Sequence, residues 1–371
     1  MGSRGVEVDV VVIGGGAMGL ATAWWLAPTC RVVVLEQFAM GHHRGASHGV
    51  ERIVRSLYGD PAYVRMAVAA ADGWARVERD AGCRLVERVG VVTHGPDVDQ
   101  DRVVAAAEDC GVVVERLGAV EAASRWPAMR FGGDVVVEPG GGWVRAALAL
   151  AALARLAGRA GADLRYGTRV TDLEIEADHV VVHLPGEVLR APALVVTAGA
   201  WAGDLLPGIG LPPLVTTEEQ VFFFAGRGSG ANGRPGVLPF IHYHDDELYG
   251  LPTPDGLTKV AIHHGGRVTT GDDRTFAIDP EHRRRVEALV RRWLPGLEPV
   301  AVDATTCLYT STPTRDFVLD RVGPVVVGAG FSGHGFKFTP EIGRRLAALA
   351  TGTEPPDPRF TLPTHCSLHG S

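Results

Sequence analysis

The chain has 371 residues, of which 46% are hydrophobic, so it can bury a large core in two domains or one composite unit. Its net charge of −7 argues against a nucleic-acid partner, because binding a phosphate backbone favours a basic surface. Five cysteines without CxxC pairs favour a reducing compartment, and we expect the cytoplasm. No apolar run predicts a signal peptide or a membrane span.

The N-terminal region predicts a strand, a tight turn and a helix. Residues 10–13 form a β-branched run, a GxGxxG motif follows, and residues 20–26 are helical in pattern. A second predicted strand, residues 31–35, ends in Glu36, where an acid would accept hydrogen bonds from an adenosine ribose. Together these features predict a Rossmann-like dinucleotide-binding domain. The motif comprises Gly14, Gly16, Ala17, Met18 and Gly19.

Residues 45–60 combine small side chains with His48, Arg52 and Arg55. A helical spacing of three would place both arginines on one helix face, where they could clamp a substrate carboxylate. Taken alone, however, the two arginines are better interpreted as ordinary surface residues.

Near the C-terminus, a predicted strand at residues 325–327 leads into glycines, then into a loop that contains Lys337, and then into a helix from residue 339. The N-terminus of a helix and an ammonium group at one place suit the edge of an isoalloxazine ring, which becomes anionic on reduction. This pattern favours a flavin over a nicotinamide.

Lysine is rare in this chain. Of 36 Lys and Arg residues only Lys259 and Lys337 are lysine. Lysine is a compact cation whose pKa falls readily on burial, so a site that needs such a cation cannot accept arginine. The alternative interpretation is that these two lysines remain by chance and have no special role.

Four segments, in order, carry a family resemblance. They are the N-terminal fingerprint, GASHGVERIVR (45–55), CLYTSTPTRDF (307–317) and GFSGHGFKF (330–338). Along nearly its whole length the chain resembles the monomeric sarcosine oxidase and N-methyltryptophan oxidase family, of the D-amino-acid-oxidase-like superfamily. The resemblance implies FAD joined through an 8α-thioether to Cys307. The alternative reading of Cys307 is a buried, small apolar side chain.

The resemblance also implies roles for particular residues. Arg55 and Lys337 would grip the substrate carboxylate, and Lys259 would promote oxygen reduction. The implied catalytic set is Arg52, Arg55, Tyr249, Lys259, His263, Tyr309 and Lys337. Beyond the fingerprint, Glu36 and Cys307, the implied cofactor contacts are Gln37, Ser47, His48, Arg52, Val170, Ala198, Gly199, Trp201, Gly330, Gly333, His334, Gly335, Phe336 and Lys337.

Three features depart from the family as it is known. Glu51 stands where relatives usually carry a neutral residue, and Asp60 replaces a glutamate. The glycine-rich stretch 226–244 also differs, which leaves the substrate open. We expect no metal, since no ligand set converges on the histidines of this chain.

The expected fold class is α/β, a composite in which an FAD domain with a parallel sheet is interleaved with a substrate domain on an antiparallel sheet. Residues 1–80, 145–210 and 315–371 would form the FAD domain, and residues 81–144 and 211–314 the substrate domain.

The expected function is oxidation of a secondary amino acid, N-methyl or cyclic, to an imine, with O2 reduced to H2O2 by a monomeric enzyme. Its partners would be a small amino-acid substrate and O2, without nucleic acid or membrane. A desaturating or cyclic imino-acid oxidase of a biosynthetic pathway is the main alternative. A nicotinamide dehydrogenase and an inert flavin-binding scaffold are the others.

Overall fold

The structure, a computed structural model, describes residues 6–227, 236–244 and 246–367, with side chains as far as residue 365. Residues 228–235 of the glycine-rich stretch therefore lie outside the description. The helices, in chain order, are α1 Ala17–Leu26, α2 Pro61–Ala81, α3 Gln100–Asp109, α4 Ala119–Arg125, α5 Ala146–Arg159, α6 Ala202–Leu205, α7 Pro280–Trp293, α8 Thr339–Thr351 and α9 Leu362–Ser367.

The strands are β1 Val6–Glu7, β2 Val10–Ile13, β3 Val32–Leu35, β4 Glu51–Val54, β5 Val86–Arg88, β6 Val91–His94, β7 Glu115–Leu117, β8 Val135–Glu138, β9 Gly142–Arg145, β10 Asp163–Arg165, β11 Asp172–Ile175, β12 Val180–Leu184, β13 Glu187–Ala191, β14 Ala193–Val196, β15 Val215–Phe224, β16 Phe240–His242, β17 Leu248–Pro252, β18 Thr258–Ile262, β19 Arg267–Thr269, β20 Asp303–Ser311, β21 Val318–Val322 and β22 Val325–Ala329. They form four sheets.

A six-stranded sheet, in the order β10-β3-β2-β14-β22-β21, organises one half of the molecule. Its pairs are parallel except β21 with β22 at one edge. Strands β2, β3 and β14 are buried along their whole length, as is typical of a parallel sheet with both faces covered. Helices α1, α5 and α8 pack together on one side. The predicted parallel sheet is confirmed.

A second large sheet runs in the order β19-β15-β18-β17-β16-β6-β8-β7, and β20 pairs with β15. Its pairs are antiparallel except β16 with β6. All its strands come from residues 91–138 and 215–311, and α7 packs on it. The predicted antiparallel sheet is therefore also confirmed, and with it the α/β class.

A small three-stranded sheet, in the order β4-β9-β5, corrects one prediction. Residues 51–54 were expected to be helical, but they pair with β9 in register Arg52↔Val144. The β-branched residues Ile53 and Val54 fit this pairing. In extended backbone, the side chains of residues three apart point to opposite sides. The side chains of Arg52 and Arg55 therefore reach different parts of the molecule.

No helix among the described residues is both long and apolar enough to cross a membrane.

Candidate active site

The turn between β2 and α1 is kept open by glycines. Gly14 has φ +105°, and a Cβ there would lie 2.5 Å from the Thr197 carbonyl oxygen. A Cβ at Gly19 would lie 1.9 Å from the Gly14 oxygen, so helix and turn approach closely. The Ser47 hydroxyl accepts from the Ala17 amide at 3.0 Å. Residues 14–18, at the N-terminus of α1, also line a cavity, a position that suits a pyrophosphate.

Glu36 lies at the end of β3, as predicted, and supports the turn. Its carboxylate accepts from the Gly15 and Phe38 amides, each at 2.9 Å. Burial disfavours the charged carboxylate, but hydrogen bonds from His42 and these two amides outweigh it, so the pKa of Glu36 is lowered. Glu36 is thus an ionised acceptor at the cavity wall.

A cavity of about 810 Å³ extends from this turn to β20, within the size range of cofactor sites. Its wall includes most of the expected cofactor contacts: Gly14, Gly16, Ala17, Met18, Glu36, Gln37, Ser47, His48, Arg52, Val170, Ala198, Gly199, Trp201, Cys307, Gly330, Gly333, Gly335 and Phe336. Gly19, His334 and Lys337 are not part of this wall. The glycines at its surface and its elongated lining fit FAD.

Cys307 lies on β20 and lines the same cavity. It is a free thiol whose Sγ is 3.7 Å from the Ala46 carbonyl oxygen, next to Ser47. The sulfur is thus at the surface that the expected cofactor residues form.

Arg274 is a site residue that sequence analysis missed. Its buried guanidinium donates to the hydroxyl of Thr306 at 2.9 Å and to the Arg44 carbonyl at 3.0 Å. It also lies 3.3 Å from His48 Nε2, and burial, with nearby Arg52 and Arg274, lowers the pKa of His48 to about 3. Arg274 thereby ties the loop before β4 to the residue preceding Cys307. It belongs to no motif, so only the fold could find it.

Arg52 closes another part of the wall. Its guanidinium donates to the Glu51 carbonyl at 2.8 Å and to the Ala46 carbonyl at 3.0 Å. Its Cζ lies 5.6 Å from the centre of the Phe336 ring. These contacts hold the charge at the cavity surface, as expected for an arginine against a flavin.

Three expected active-site residues meet at the large antiparallel sheet. His263 Nδ1 is 3.0 Å from the Tyr309 hydroxyl, and the His263 and Tyr249 rings are 5.9 Å apart. Burial lowers the pKa of His263 well below its usual value and raises the pKa of Tyr249 to about 12. All three are therefore neutral near pH 7. The Tyr309 ring fills the space beside Gly333, where a Cβ would come within 2.3 Å of it.

Arg55 and Lys337 converge on Tyr58, a residue that sequence analysis did not single out. Lys337 Nζ donates to the Tyr58 hydroxyl and to the His334 carbonyl, each at 2.8 Å. Arg55 lies over the Tyr58 ring at 4.6 Å and donates to the Tyr243 hydroxyl at 3.2 Å. Burial, reinforced by Arg55, lowers the pKa of Lys337 well below its usual value. We call Arg55, Tyr58, Tyr243, His334 and Lys337 the carboxylate cluster.

Lys259 lies on β18 and is buried against β4. Its Nζ is 3.3 Å from Glu51 Oε1 and donates to the Glu51 carbonyl at 3.2 Å. Neither residue is part of the cavity lining, but Val50 and Arg52 on either side of Glu51 are. The lysine therefore sits directly behind the wall, in an ion pair that the sequence did not predict.

Within the described residues, no group of three or more His, Cys, Asp or Glu is arranged to hold a metal ion.

The parallel sheet, the large antiparallel sheet and the cavity fit a flavoprotein, and comparisons with known proteins agree. The family described as FAD dependent oxidoreductase matches residues 9–349, so the chain belongs to that family. It is 38% identical over 368 residues to monomeric sarcosine oxidase of Streptomyces avermitilis (93% of this chain, 94% of that protein). It is 34% identical over 363 residues to peroxisomal sarcosine oxidase of Homo sapiens (94% and 93%). The resemblance to the sarcosine oxidase family is thereby confirmed.

Among solved structures, the chain is similar to the open form of NikD, described as an unusual amino acid oxidase essential for nikkomycin biosynthesis. The TM-score is 0.82 at 28% identity, over 95% of this chain and 96% of that one.

Proposed function

We propose that this protein is an FAD-dependent oxidase of secondary amino acids, N-methyl or cyclic, that forms an imine and reduces O2 to H2O2. The observation that carries the proposal is the convergence of two cations, the partly buried Arg55 and the buried Lys337, on Tyr58 beside a cavity of flavin size. The nearby acids Glu138 and Glu247 favour the charged form of Arg55, but no carboxylate among the described residues lies within ion-pair distance of either cation. Two cations placed in this way suit an anionic ligand, here the substrate carboxylate.

In this proposal the carboxylate cluster orients the substrate. Arg55 offers a bidentate fork and Lys337 a point charge, so together they fix the carboxylate and with it the adjacent carbon. Neutral His263 and Tyr309 lie next to the same space and can hold the amine without competing for its proton. FAD bound in the cavity would supply the acceptor for the hydride of the carbon next to nitrogen and the electrons for reduction of O2.

The cofactor would be held at the turn after β2, by Glu36 and by the wall of the cavity, and attached through Cys307. The position of the thiol at the wall, with Ala46 O at 3.7 Å, supports attachment. Lys259, directly behind the wall, is the proposed cation of the reaction with oxygen.

The sheets support the proposed division of the chain. Strands of the six-stranded sheet fall in residues 1–80, 145–210 and 315–371, and those of the large antiparallel sheet fall in 81–144 and 211–314. We propose that these are the FAD and substrate domains, joined by the three-stranded sheet. We propose a monomer, in line with the name of the Streptomyces relative, and a cytoplasmic location, which the free cysteines support.

A second candidate is a desaturating or cyclic imino-acid oxidase of a biosynthetic pathway. The similarity to NikD favours it, since that protein serves nikkomycin biosynthesis. The two candidates share the cofactor and the carboxylate cluster and differ in how far oxidation proceeds.

The test begins with purified protein precipitated in acid. If FAD is attached at Cys307, the pellet stays yellow, and Cys307→Ser releases the colour. A colourless pellet from the unaltered protein would overturn the attachment. Peroxide is then measured with N-methyl and cyclic amino acids and their carboxylate-free amines. About one O2 per substrate supports the imine-forming oxidase, whereas more than one supports desaturation. No peroxide with any amino acid overturns both.

A further inference from the structure

The ion pair between Lys259 and Glu51 joins two buried charges. The Lys259 side chain is 8% exposed and that of Glu51 is 2% exposed. Moving such charges out of water is costly unless they are paired. Glu51 meets the lysine twice, through Oε1 at 3.3 Å and through its backbone carbonyl at 3.2 Å. The lysine is therefore fixed in position as well as paired.

The surroundings make Glu51 the one acid that the ammonium contacts among the described residues. Burial lowers the pKa of Lys259, and Glu51 opposes this shift. Arg52, which follows Glu51 on β4, lowers the pKa of Lys259 further, whereas Cys307 on β20 would raise it only as a charged thiolate. His48, on the loop before β4, is neutral near pH 7 because its pKa is about 3. Without Glu51 the lysine would face burial and Arg52 with little compensation.

One carboxylate oxygen of Glu51 accepts no hydrogen bond from the part of the chain that the structure describes. Its Oε2 is buried and has no hydrogen-bond partner among the described residues. A neutral side chain here would avoid the cost of burying that oxygen. The carboxylate therefore does not serve packing alone, and its charge is the property that a neutral residue could not supply.

We propose that Glu51 is a positioning residue that keeps Lys259 in its ammonium form, and thereby keeps the reaction with oxygen working at alkaline pH. The inference rests on the proposed oxygen role of Lys259. The charged ammonium stabilises negative charge that develops on O2 as it takes up electrons, whereas a neutral amine cannot. Glu51 acts through Lys259 and needs no contact with O2.

The chain offers a direct readout, because Lys259 and Lys337 are its only lysines. Protein labelled with 13C at lysine Cε should give two lysine signals, assigned with Lys259→Met. In unaltered holoenzyme the Lys259 signal should titrate at higher pH than that of Lys337, whose contacts are the Tyr58 hydroxyl and the His334 carbonyl. The reverse order would overturn the proposal, and this comparison needs no folded Glu51 variant.

Glu51→Gln should then lower the pKa of Lys259, while Glu51→Asp restores part of it. Flavin reoxidation by O2 in Glu51→Gln should slow about tenfold or more above the new pKa, which equals about 1.4 kcal/mol. Reduction by substrate should stay unchanged. Glu341→Gln is the matched control, because it removes a buried, ion-paired carboxylate on α8 whose partners are Arg344 and Arg345.

An unchanged Lys259 titration in Glu51→Gln would overturn the inference. So would a lowered pKa with an unchanged pH profile of reoxidation, or faster reoxidation at every pH. The Lys259→Met variant distinguishes a failure of the Glu51 inference from a failure of the proposed function. If that variant reoxidises as fast as unaltered enzyme, the oxygen role of Lys259 is wrong, whatever the titration of Glu51→Gln shows.

Discussion

The cofactor cavity and the carboxylate cluster lie side by side but are built differently. The cavity wall near α1 includes the glycines and backbone amides of residues 14–17, which the Glu36 and Ser47 side chains support. The carboxylate cluster brings together charged and aromatic side chains from residues 55–58, 243 and 334–337. One region makes space for a ligand, and the other supplies charge to it.

Because the two regions are built differently, different kinds of substitution should impair each of them. In the cavity wall, a single added methyl group can displace the neighbouring backbone, because glycines such as Gly14 lie against backbone atoms that cannot easily move aside. In the cluster, shape can be kept while charge is lost, because long side chains rearrange more easily than backbone. Substitutions should therefore separate binding of the cofactor from binding of the substrate.

The largest effect is expected for Gly14→Ala. The residue has φ +105°, and the new Cβ would lie 2.5 Å from the Thr197 oxygen, so β2 and β14 cannot both keep their places. We expect protein without bound flavin, measured by the ratio of absorbance at 450 and 280 nm. Gly186→Ala is the control, because it also has positive φ, +81°, but open space around it. Normal flavin content in Gly14→Ala would show that the turn adapts.

A smaller effect is expected for Arg55→Met, which should weaken binding of a carboxylate inhibitor such as acetate by about 2 to 5 kcal/mol. Arg55→Lys should lose less, because charge remains while the bidentate fork is gone. The flavin content should not change, since Arg55 contacts Tyr58 and Tyr243 and is not part of the cavity wall. Spectral titration of oxidised enzyme measures the affinity. Unchanged affinity in Arg55→Met would place the carboxylate elsewhere.

The smallest effect concerns pH. Because burial and Arg55 lower the pKa of Lys337, it loses its proton at lower pH than an ordinary lysine. A bound carboxylate favours the ammonium form, so binding above that pKa takes up a proton. The affinity for a carboxylate inhibitor should then fall with rising pH, by up to about tenfold per unit. Lys337→Met should bind weakly and lose that slope. An unaltered slope in Lys337→Met would assign the proton to another group.

Much of the cofactor region could be predicted from the sequence, because its signals are local. The turn after β2, Glu36 at the end of β3 and the glycines of residues 330–335 each lie within one short segment. Their roles depend on backbone conformation, which neighbouring residues largely determine. Composition singled out Lys259 and Lys337, and the family resemblance added Cys307.

The tertiary structure decided the rest. Residues 51–54 pair with β9 and form a strand. Arg52 and Arg55 therefore lie at different sites and do not share the helix face that their spacing predicted. Arg274 meets Thr306 and the loop at residues 43–44 only through the fold, and Glu51 meets Lys259 across 208 residues. The sequence determined which groups with unusual chemistry the chain carries. The fold decided which of them are buried in contact, because pKa and pairing depend on neighbours that are distant along the chain.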